Sequence, residues 1–319
     1  MIIVVACLIL NSFFAEPNLY FIFACAAIIS ALNGLHRPAV EALMPALVKR
    51  EELAAVSSLA PLRNIVTAVS GPSIAGLILA TYGPIWTYLV DASTFLFSIS
   101  LIAWLAIPHV QGSIREHHEN FYSEIKESWL YLKNRKDLVG TYLIDFFAMV
   151  CVSPQVLMPH IAKSLSQEHY LGFLYASPSL GALIAAIFSG WTGRVNRHGL
   201  AIAFSASAWA ATVAAIGLVS RIEYMLIFLF LSGAFDMISG IFRMNIWNKT
   251  IPTTIRGRMA SFEMLSYMSG PLLGQLFIGI SAEKLGYQNA LIMGGSIAIA
   301  LILASSLKLA EFIQYKDKK

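Results

Sequence analysis

A series of long apolar stretches limits what this chain can fold into more than any other feature of its sequence. They cover approximately residues 1–15, 18–44, 53–82, 85–107, 138–161, 170–190, 200–219, 224–247, 259–281 and 287–310. About 20 apolar residues cross a bilayer as a helix, because lipid requires each backbone polar group to be paired within its own segment. We therefore predict an all-α integral membrane protein with about ten transmembrane helices.

Composition and the absence of catalytic motifs narrow the function. Only 13% of the residues are charged and 57% are hydrophobic, whereas soluble domains carry roughly 25% charge. These values exclude a soluble enzyme, a disordered chain and a nucleic-acid binder. The sequence has no His-Glu-x-x-His, Gly-rich phosphate loop or Gly-x-Ser-x-Gly pattern. We expect no enzymatic activity, no cofactor and no metal site.

The first apolar stretch is unusually short for a span. Asn11 and Ser12 interrupt the run from Met1 to Ala15, which is below the roughly 17 residues that a span requires. Either this is a hydrophobic N-terminus, or the chain begins partway through a helix and lacks earlier ones. We expect the second.

The distribution of Lys and Arg predicts the orientation. With the N-terminus in the cytoplasm and alternating spans, three basic residues lie in outer loops: Lys163, Arg221 and Lys284. The inner loops and tail then contain Lys49, Arg50, Arg115, Lys126, Lys133, Arg135, Lys136, Arg194, Arg197, Lys249, Arg256, Arg258, Lys308, Lys316, Lys318 and Lys319. This asymmetry predicts a multi-pass protein of the inner membrane with both termini cytoplasmic.

A polar stretch over residues 108–137 divides the chain. Phe121, Ile125, Trp129 and Leu132 recur there at helical spacing, which is typical of an amphipathic helix on the membrane surface. An ordinary solvated linker helix is the alternative. We predict an incomplete four-span bundle at 1–107, a cytoplasmic linker at 108–137, and a six-helix bundle with a short basic tail at 138–319.

The two halves resemble each other. Gly71-Pro72 matches Gly270-Pro271 at an offset of 199 residues, and Pro45 before Lys49-Arg50 matches Pro252 before Arg256-Gly-Arg258 at 207. Parallel halves of this length are typical of one large transporter class. If the first half once matched the second, two spans are missing before residue 1. Proline removes a helical hydrogen bond and small residues allow close contact, so we list as candidate hinges Gly71, Pro72, Gly76, Gly270 and Pro271.

Ionisable residues inside the predicted spans are the strongest functional signal, because each costs about 2.5–3.5 kcal/mol or more at mid-bilayer. Asp145 and Asp236 lie well inside their spans, and we predict that they carry protons. Arg243 lies seven residues after Asp236 on the same helix face. A latch between Arg243 and Glu263 of the next span is geometrically possible. A second possible latch is the i, i+4 pair Arg37 and Glu41, for which a structural ion pair is the alternative.

Arg63 is too deep in its span to reach water easily. Its partner is predicted to be an anionic substrate in a wet cavity, or alternatively Asp91 or Asp145. Three aromatic residues are further candidates for the cavity lining: Tyr142, Phe146 and Tyr175.

Three stretches, His36 to Leu53, Gly172 to Gly181 and Pro252 to Met259, resemble the major facilitator superfamily, specifically its drug- and siderophore-exporting branch. The resemblance extends from the family's third span to its twelfth. It implies a proton-driven exporter that alternates between inward- and outward-open states. The stretch from Gly190 to Arg197 resembles a degenerate copy of the family's latch loop, which implies a gating role for Arg194 and Arg197.

The expected function is proton antiport that exports a small amphipathic or anionic metabolite, with a siderophore as the leading substrate class. A multidrug or macrolide exporter is the alternative within the same class. A truncated membrane protein that does not transport is the alternative from another class. The expected partners are the substrate, protons and the lipid bilayer, with a monomeric chain and no nucleic acid.

Overall fold

The structure is a computed structural model that describes residues 1–14, 16–47, 66–67, 70–71, 74–79, 81–104, 126, 129–252 and 255–313. Within its helices, it leaves out the side chains of residues 35, 37–47, 256–258, 260–261, 263–268 and 310–311. The chain divides into two compact units, Met1–Glu116 and His117–Lys319.

The first unit contains helices α1 (Ile2–Ser12), α2 (Leu19–Leu47) and α3 (Pro84–Trp104). Helix α1 packs against both α2 and α3. Asn18 begins α2, since its side-chain oxygen accepts hydrogen bonds from the backbone N–H groups of Tyr20 and Phe21 at 3.0 and 3.2 Å. Such a cap satisfies backbone donors that the first helical turn leaves unpaired.

The second unit is a bundle of helices. Its elements are α4 (Lys136–Cys151), α5 (Met158–Ser164), α6 (Leu171–Ile187), α7 (His198–Ile216), α8 (Ile222–Thr250), α9 (Arg256–Leu285), α10 (Tyr287–Lys308) and α11 (Ala310–Ile313). Helix α8 packs against α6 and α7, α10 packs against α7 and α4, and α9 packs against α4 and α10. All the regular elements in the described part of the chain are helical, which confirms the predicted all-α class.

The predicted span at 138–161 lies within a stretch that is long and apolar enough to cross a membrane, Lys136–Ser164, but this stretch is not one continuous α-helix. Helix α4 ends at Cys151, Val152 and Ser153 are extended, and a 3₁₀ turn over Pro154–Leu157 leads into α5. Pro154 supplies the reason, because proline lacks a backbone donor and disfavours helical geometry in the residue before it. Gly294 of α10 lies against the break, where an added methyl group would meet the Cys151 carbonyl oxygen at 2.5 Å.

Glycines set the closest helix contacts in the second unit. A methyl group added to Gly233 of α8 would overlap the backbone carbonyl of Pro178 in α6, and one added to Gly274 of α9 would overlap the Met149 carbonyl of α4. Small residues at such crossings let helix backbones approach each other directly. The bundle is therefore held by interlocking backbones as well as by side chains.

The short helix α11 closes one end of this unit. Phe312 is fully buried, and its ring and backbone occupy the space that side chains at Gly140 of α4 and Gly199 of α7 would need. The start of α4, the start of α7 and the segment after α10 therefore meet at the same end of the bundle.

Among the described residues, six stretches are long and apolar enough to cross a membrane: Pro84–Trp104, Lys136–Ser164, Glu168–Ile187, His198–Ile216, Ile222–Thr250 and Tyr287–Lys308. Two shorter apolar helices are Ile2–Ser12 and Leu19–Gly34. Most of the predicted span 53–82 lies outside the described residues, although positions 74–79 and 81–82 are helical. The total of ten spans stays a prediction.

Candidate functional site

An ion cluster joins helices α4 and α8 inside the second unit. The guanidinium of Arg243 in α8 forms an ion pair with the carboxylate of Asp145 in α4. On its other side, Nη2 of Arg243 lies 3.9 Å from Oδ1 of Asp236, which also belongs to α8. One cation is thus placed between two carboxylates.

The positions of these residues follow from helix geometry. Asp236 is the midpoint of the 29-residue helix α8, and Arg243 lies seven residues, or about 10 Å, further along the same face. The arginine side chain is long enough to reach back toward Asp236 while it contacts the neighbouring helix. The spacing predicts the shared face of Asp236 and Arg243, whereas the pairing with Asp145 is a fact of the tertiary structure.

Burial differs sharply across the cluster. The side chains of Arg243 and Asp145 are 10% and 11% exposed, whereas that of Asp236 is 46% exposed. A carboxylate at the middle of a membrane-spanning helix is unfavourable in lipid. Asp236 is therefore the more accessible of the two carboxylates in the cluster.

This arrangement concentrates proton chemistry on the two carboxylates. Arginine keeps its charge in proteins, so any proton that the cluster gains or loses is carried by Asp145 or Asp236. Neutralising one carboxylate would weaken its attraction to Arg243 and favour pairing with the other. The cluster is therefore able to couple protonation to a change in contact between α4 and α8.

A second layer of contacts lies one helical turn from the ion pair. The indole N–H of Trp247 in α8 donates a hydrogen bond to the hydroxyl oxygen of Thr141 in α4 at 2.8 Å. The ring of Tyr142 stacks on that of Trp247, with centroids 5.3 Å apart and planes inclined by 19°. Beyond this layer, the Tyr131 hydroxyl donates to the backbone carbonyl of Thr250 at 2.8 Å.

The other predicted residues of the second unit lie at different places. Phe146 is near Gly270, where an added methyl group would meet its ring at 3.9 Å. Tyr175 donates a hydrogen bond to the Gln155 carbonyl at 3.2 Å, beside the break after α4. Pro271 lies inside helix α9. Arg194 and Arg197 are exposed at the turn between α6 and α7.

In the first unit, Asp91 is exposed on α3 and has no ion-pair partner among the described residues. Gly71 is exposed and helical, and Gly76 is a buried residue of the helical segment 74–79. Arg63 and Pro72 lie outside the described residues, as do the side chains of Arg37, Glu41 and Glu263. The predicted latch between Arg243 and Glu263 therefore stays a prediction.

Sequence reasoning missed Thr141, Trp247 and Phe312. A signal existed for the first two, since Thr141 precedes Asp145 by four residues and Trp247 follows Arg243 by four. Residues four apart lie on the same helix face, so neighbours of a buried ion pair can be found this way once the pair is known. Phe312 follows the last apolar stretch, in the mixed sequence Ala-Glu-Phe-Ile-Gln, and nothing there predicts that it is buried.

In the described part of the chain, several apolar helices of membrane-spanning length and an ion cluster between two of them define a multi-pass membrane protein. A family model described as "Transmembrane secretion effector", within the major facilitator superfamily, matches residues 1–318. The chain belongs to this family, which consists of transporters and not of enzymes.

Curated relatives give the same class. The chain is 27% identical over 274 residues to the enterobactin exporter EntS of Shigella boydii serotype 18, and equally to that of Escherichia coli O81. The matched region covers 85% of this chain and 65% of each relative. The chain thus spans less than two thirds of the length of the curated relatives that it matches.

Proposed function

We propose that the protein exports a small amphipathic or anionic metabolite of the siderophore class and is driven by protons moving inward. The observation that carries the proton part is the cluster of Asp145, Arg243 and Asp236, in which one permanent cation is placed between two carboxylates. Buried ion pairs are expensive to form, and membrane helices contain such groups at ion and substrate pathways.

In this proposal, Asp145 holds Arg243 in the resting state, and Asp236, which exchanges protons with water, passes a proton to Asp145 and is itself left ionised. A proton on Asp145 releases the guanidinium, which then pairs with Asp236 on its own helix. The charged contact between α4 and α8 is lost in that step. Repeated protonation and release would thus favour first one and then another arrangement of the bundle.

The substrate class rests on two lines of support. The curated relatives are named as enterobactin exporters, and Arg63 is proposed to supply a positive charge that an anionic substrate contacts. Arg63→Lys keeps the charge but loses the planar fork that binds two oxygens at once. We expect this variant to transport enterobactin poorly at normal membrane abundance. A multidrug exporter would instead move cationic drugs and be indifferent to that change.

We also propose that both termini are cytoplasmic and that the protein lies in the inner membrane as a monomer. One end of the second unit brings together the starts of α4 and α7 and the end of α8, through Phe312, Gly199 and the Tyr131–Thr250 contact. That end includes much of the predicted inner charge: Lys133, Arg135, Lys136, Arg194, Arg197, Lys249 and Lys308. A reporter fused after Lys319 should read cytoplasm, and one inserted at Ser166 should read exterior. An exterior reading at Lys319 would overturn the orientation.

Transport into inverted vesicles tests the function itself. Full-length protein is reconstituted with its cytoplasmic side outward, and enterobactin uptake is followed with and without an acidic interior. We expect an acidic interior to drive accumulation in the wild type and to have no effect with Asp145→Asn or Asp236→Asn. Gradient-driven accumulation by both variants would contradict the proposed proton route.

A further inference from the structure

The contact between Thr141 and Trp247 repeats the ion pair one turn away on both helices. Thr141 precedes Asp145 by four residues, Trp247 follows Arg243 by four, and α4 and α8 run in opposite directions at this point. Each contact therefore joins the same two helix faces. The structure links α4 to α8 by a neutral hydrogen bond and a charged one, stacked along the helices.

The neutral contact is more constrained than an ordinary hydrogen bond. The Thr141 hydroxyl donates its proton to the Leu138 carbonyl at 2.7 Å. The hydroxyl oxygen can therefore act only as an acceptor for the Trp247 indole N–H. Thr141 is fully buried and Trp247 is 9% exposed. Stacking on Tyr142 further limits rotation of the indole ring. Both contacts are made at the relative position of α4 and α8 along their axes that the structure shows, and a shift of either helix would break them.

The position of α8 along the axis of α4 decides which carboxylate Arg243 reaches. Asp236 belongs to the same helix as Arg243 and moves with it, whereas Asp145 belongs to α4. A shift of α8 along α4 would therefore move Arg243 away from Asp145 without changing its separation from Asp236. The position of α8 relative to α4 is thus the variable that selects the partner.

We propose that Thr141 and Trp247 are positioning residues that hold α4 and α8 at the height where Arg243 pairs with Asp145. This inference rests on the proposed proton-coupled function for its consequence in transport, but its structural part is independent. The two residues do not touch the substrate or carry protons. They favour the resting state in which Asp145 pairs with Arg243, and protonation of Asp145 then breaks that pair.

A triple-mutant cycle tests the structural part without any transport assay. The coupling between Asp145→Asn and Arg243→Gln is measured from denaturation of the purified full chain, first in the wild type and then with Trp247→Phe. Phenylalanine keeps an aromatic ring against Tyr142 but has no N–H donor. We expect the coupling to fall by at least half, and to be unchanged with Trp209→Phe, a buried tryptophan of α7.

Transport separates positioning from general packing. Thr141→Val and Trp247→Phe should lower gradient-driven enterobactin accumulation about fivefold, the factor that the loss of one neutral hydrogen bond gives. Exchange of enterobactin across vesicles without a pH gradient should stay within twofold of the wild type. Thr141→Ser keeps the hydroxyl and should restore accumulation. The matched control is Thr212→Val, since Thr212 is a buried threonine of α7 whose hydroxyl bonds within its own helix.

The outcomes are distinct. Unchanged Asp145–Arg243 coupling in the Trp247→Phe background would overturn the inference, as would equal loss of driven transport and exchange in both variants. If Trp247→Phe fails to accumulate in the membrane, the same cycle is measured in the Thr141→Val background and decides in its place. A wild type that ignores the pH gradient would contradict the proposed function, while the stability cycle would still decide the positioning role.

Discussion

The two units use their intramembrane aspartates differently. Asp145 in α4 is almost buried and paired with Arg243 of a neighbouring helix, whereas Asp91 in α3 is exposed on a helix that has no buried residue. Both lie within apolar helices, although α4 also contains Asp137 in its first turn. Among the residues that the structure describes, what distinguishes them is that an opposing helix supplies a cation to Asp145 alone, and this cannot be learned from the position of either aspartate in its span.

The difference has an energetic consequence. A buried carboxylate without a partner costs several kcal/mol, and removing one member of a buried pair typically costs about 3–5 kcal/mol. An exposed carboxylate has no such dependence. Substitutions at the two sites should therefore differ by a large factor, and the comparison can be tested by the size of their effects.

The largest expected effect is that of Arg243→Gln. This change leaves two carboxylates beside a neutral amide and should lower the free energy of unfolding by about 3–5 kcal/mol. Membrane abundance, measured by immunoblot against the wild type, should fall at least severalfold.

A second substitution tests whether the lost charge balance is the cause. Asp145→Asn in the Arg243→Gln background removes the more buried of the two carboxylate charges that are left unpaired, and we expect abundance to recover by more than half. No recovery would mean that Arg243 acts through packing and would weaken the contrast with Asp91.

The glycines give a second contrast of intermediate size. Gly274→Ala places a methyl group against the Met149 carbonyl, and overpacking of this kind costs about 1–3 kcal/mol. Gly279 of the same helix and Gly71 of the first unit have no atom of the described residues within 4 Å of an added methyl group. Thermal unfolding should show a lower midpoint for Gly274→Ala alone, because alanine is otherwise a better helix former than glycine. Equal destabilisation by all three changes would refute the role assigned to close packing.

The smallest expected effect is that of Asp91→Asn. Since Asp91 is exposed and has no described ion pair, both abundance and gradient-driven enterobactin accumulation should stay within about twofold of the wild type. The measurement is made beside Asp236→Asn, which should preserve abundance and abolish driven accumulation. A loss of driven transport with Asp91→Asn would extend proton coupling to the first unit.

The sequence was enough for the fold class, because apolar length alone requires helices in a membrane. It also indicated Asp145, Asp236 and Arg243, since charged residues are rare in such segments and stand out. It was not enough for their pairing, because Asp145 and Arg243 are 98 positions apart in sequence and any of several cations was a possible partner. Pro154 could have predicted the helix break, but the sequence is apolar on both sides of it and was therefore interpreted as one span.

The residues that pack against each other were the part of the structure least predictable from the sequence. Gly274 and Gly279 look alike in sequence, and their difference depends on which of them faces α4. Phe312 follows the last apolar stretch, and only the positions of Gly140 and Gly199 explain its burial. Such contacts depend on how helices cross, which periodicity does not specify when most faces are apolar.

Proton release on substrate binding tests the central claim most directly. Enterobactin is added to the purified full chain in weak buffer, and a pH indicator records protons released per protein. The account predicts release by the wild type and by Asp91→Asn, and none by Asp145→Asn or Asp236→Asn at equal binding. If Asp145→Asn and Asp236→Asn each released as many protons as the wild type, the assignment of proton coupling to the Asp145–Arg243–Asp236 cluster would be contradicted.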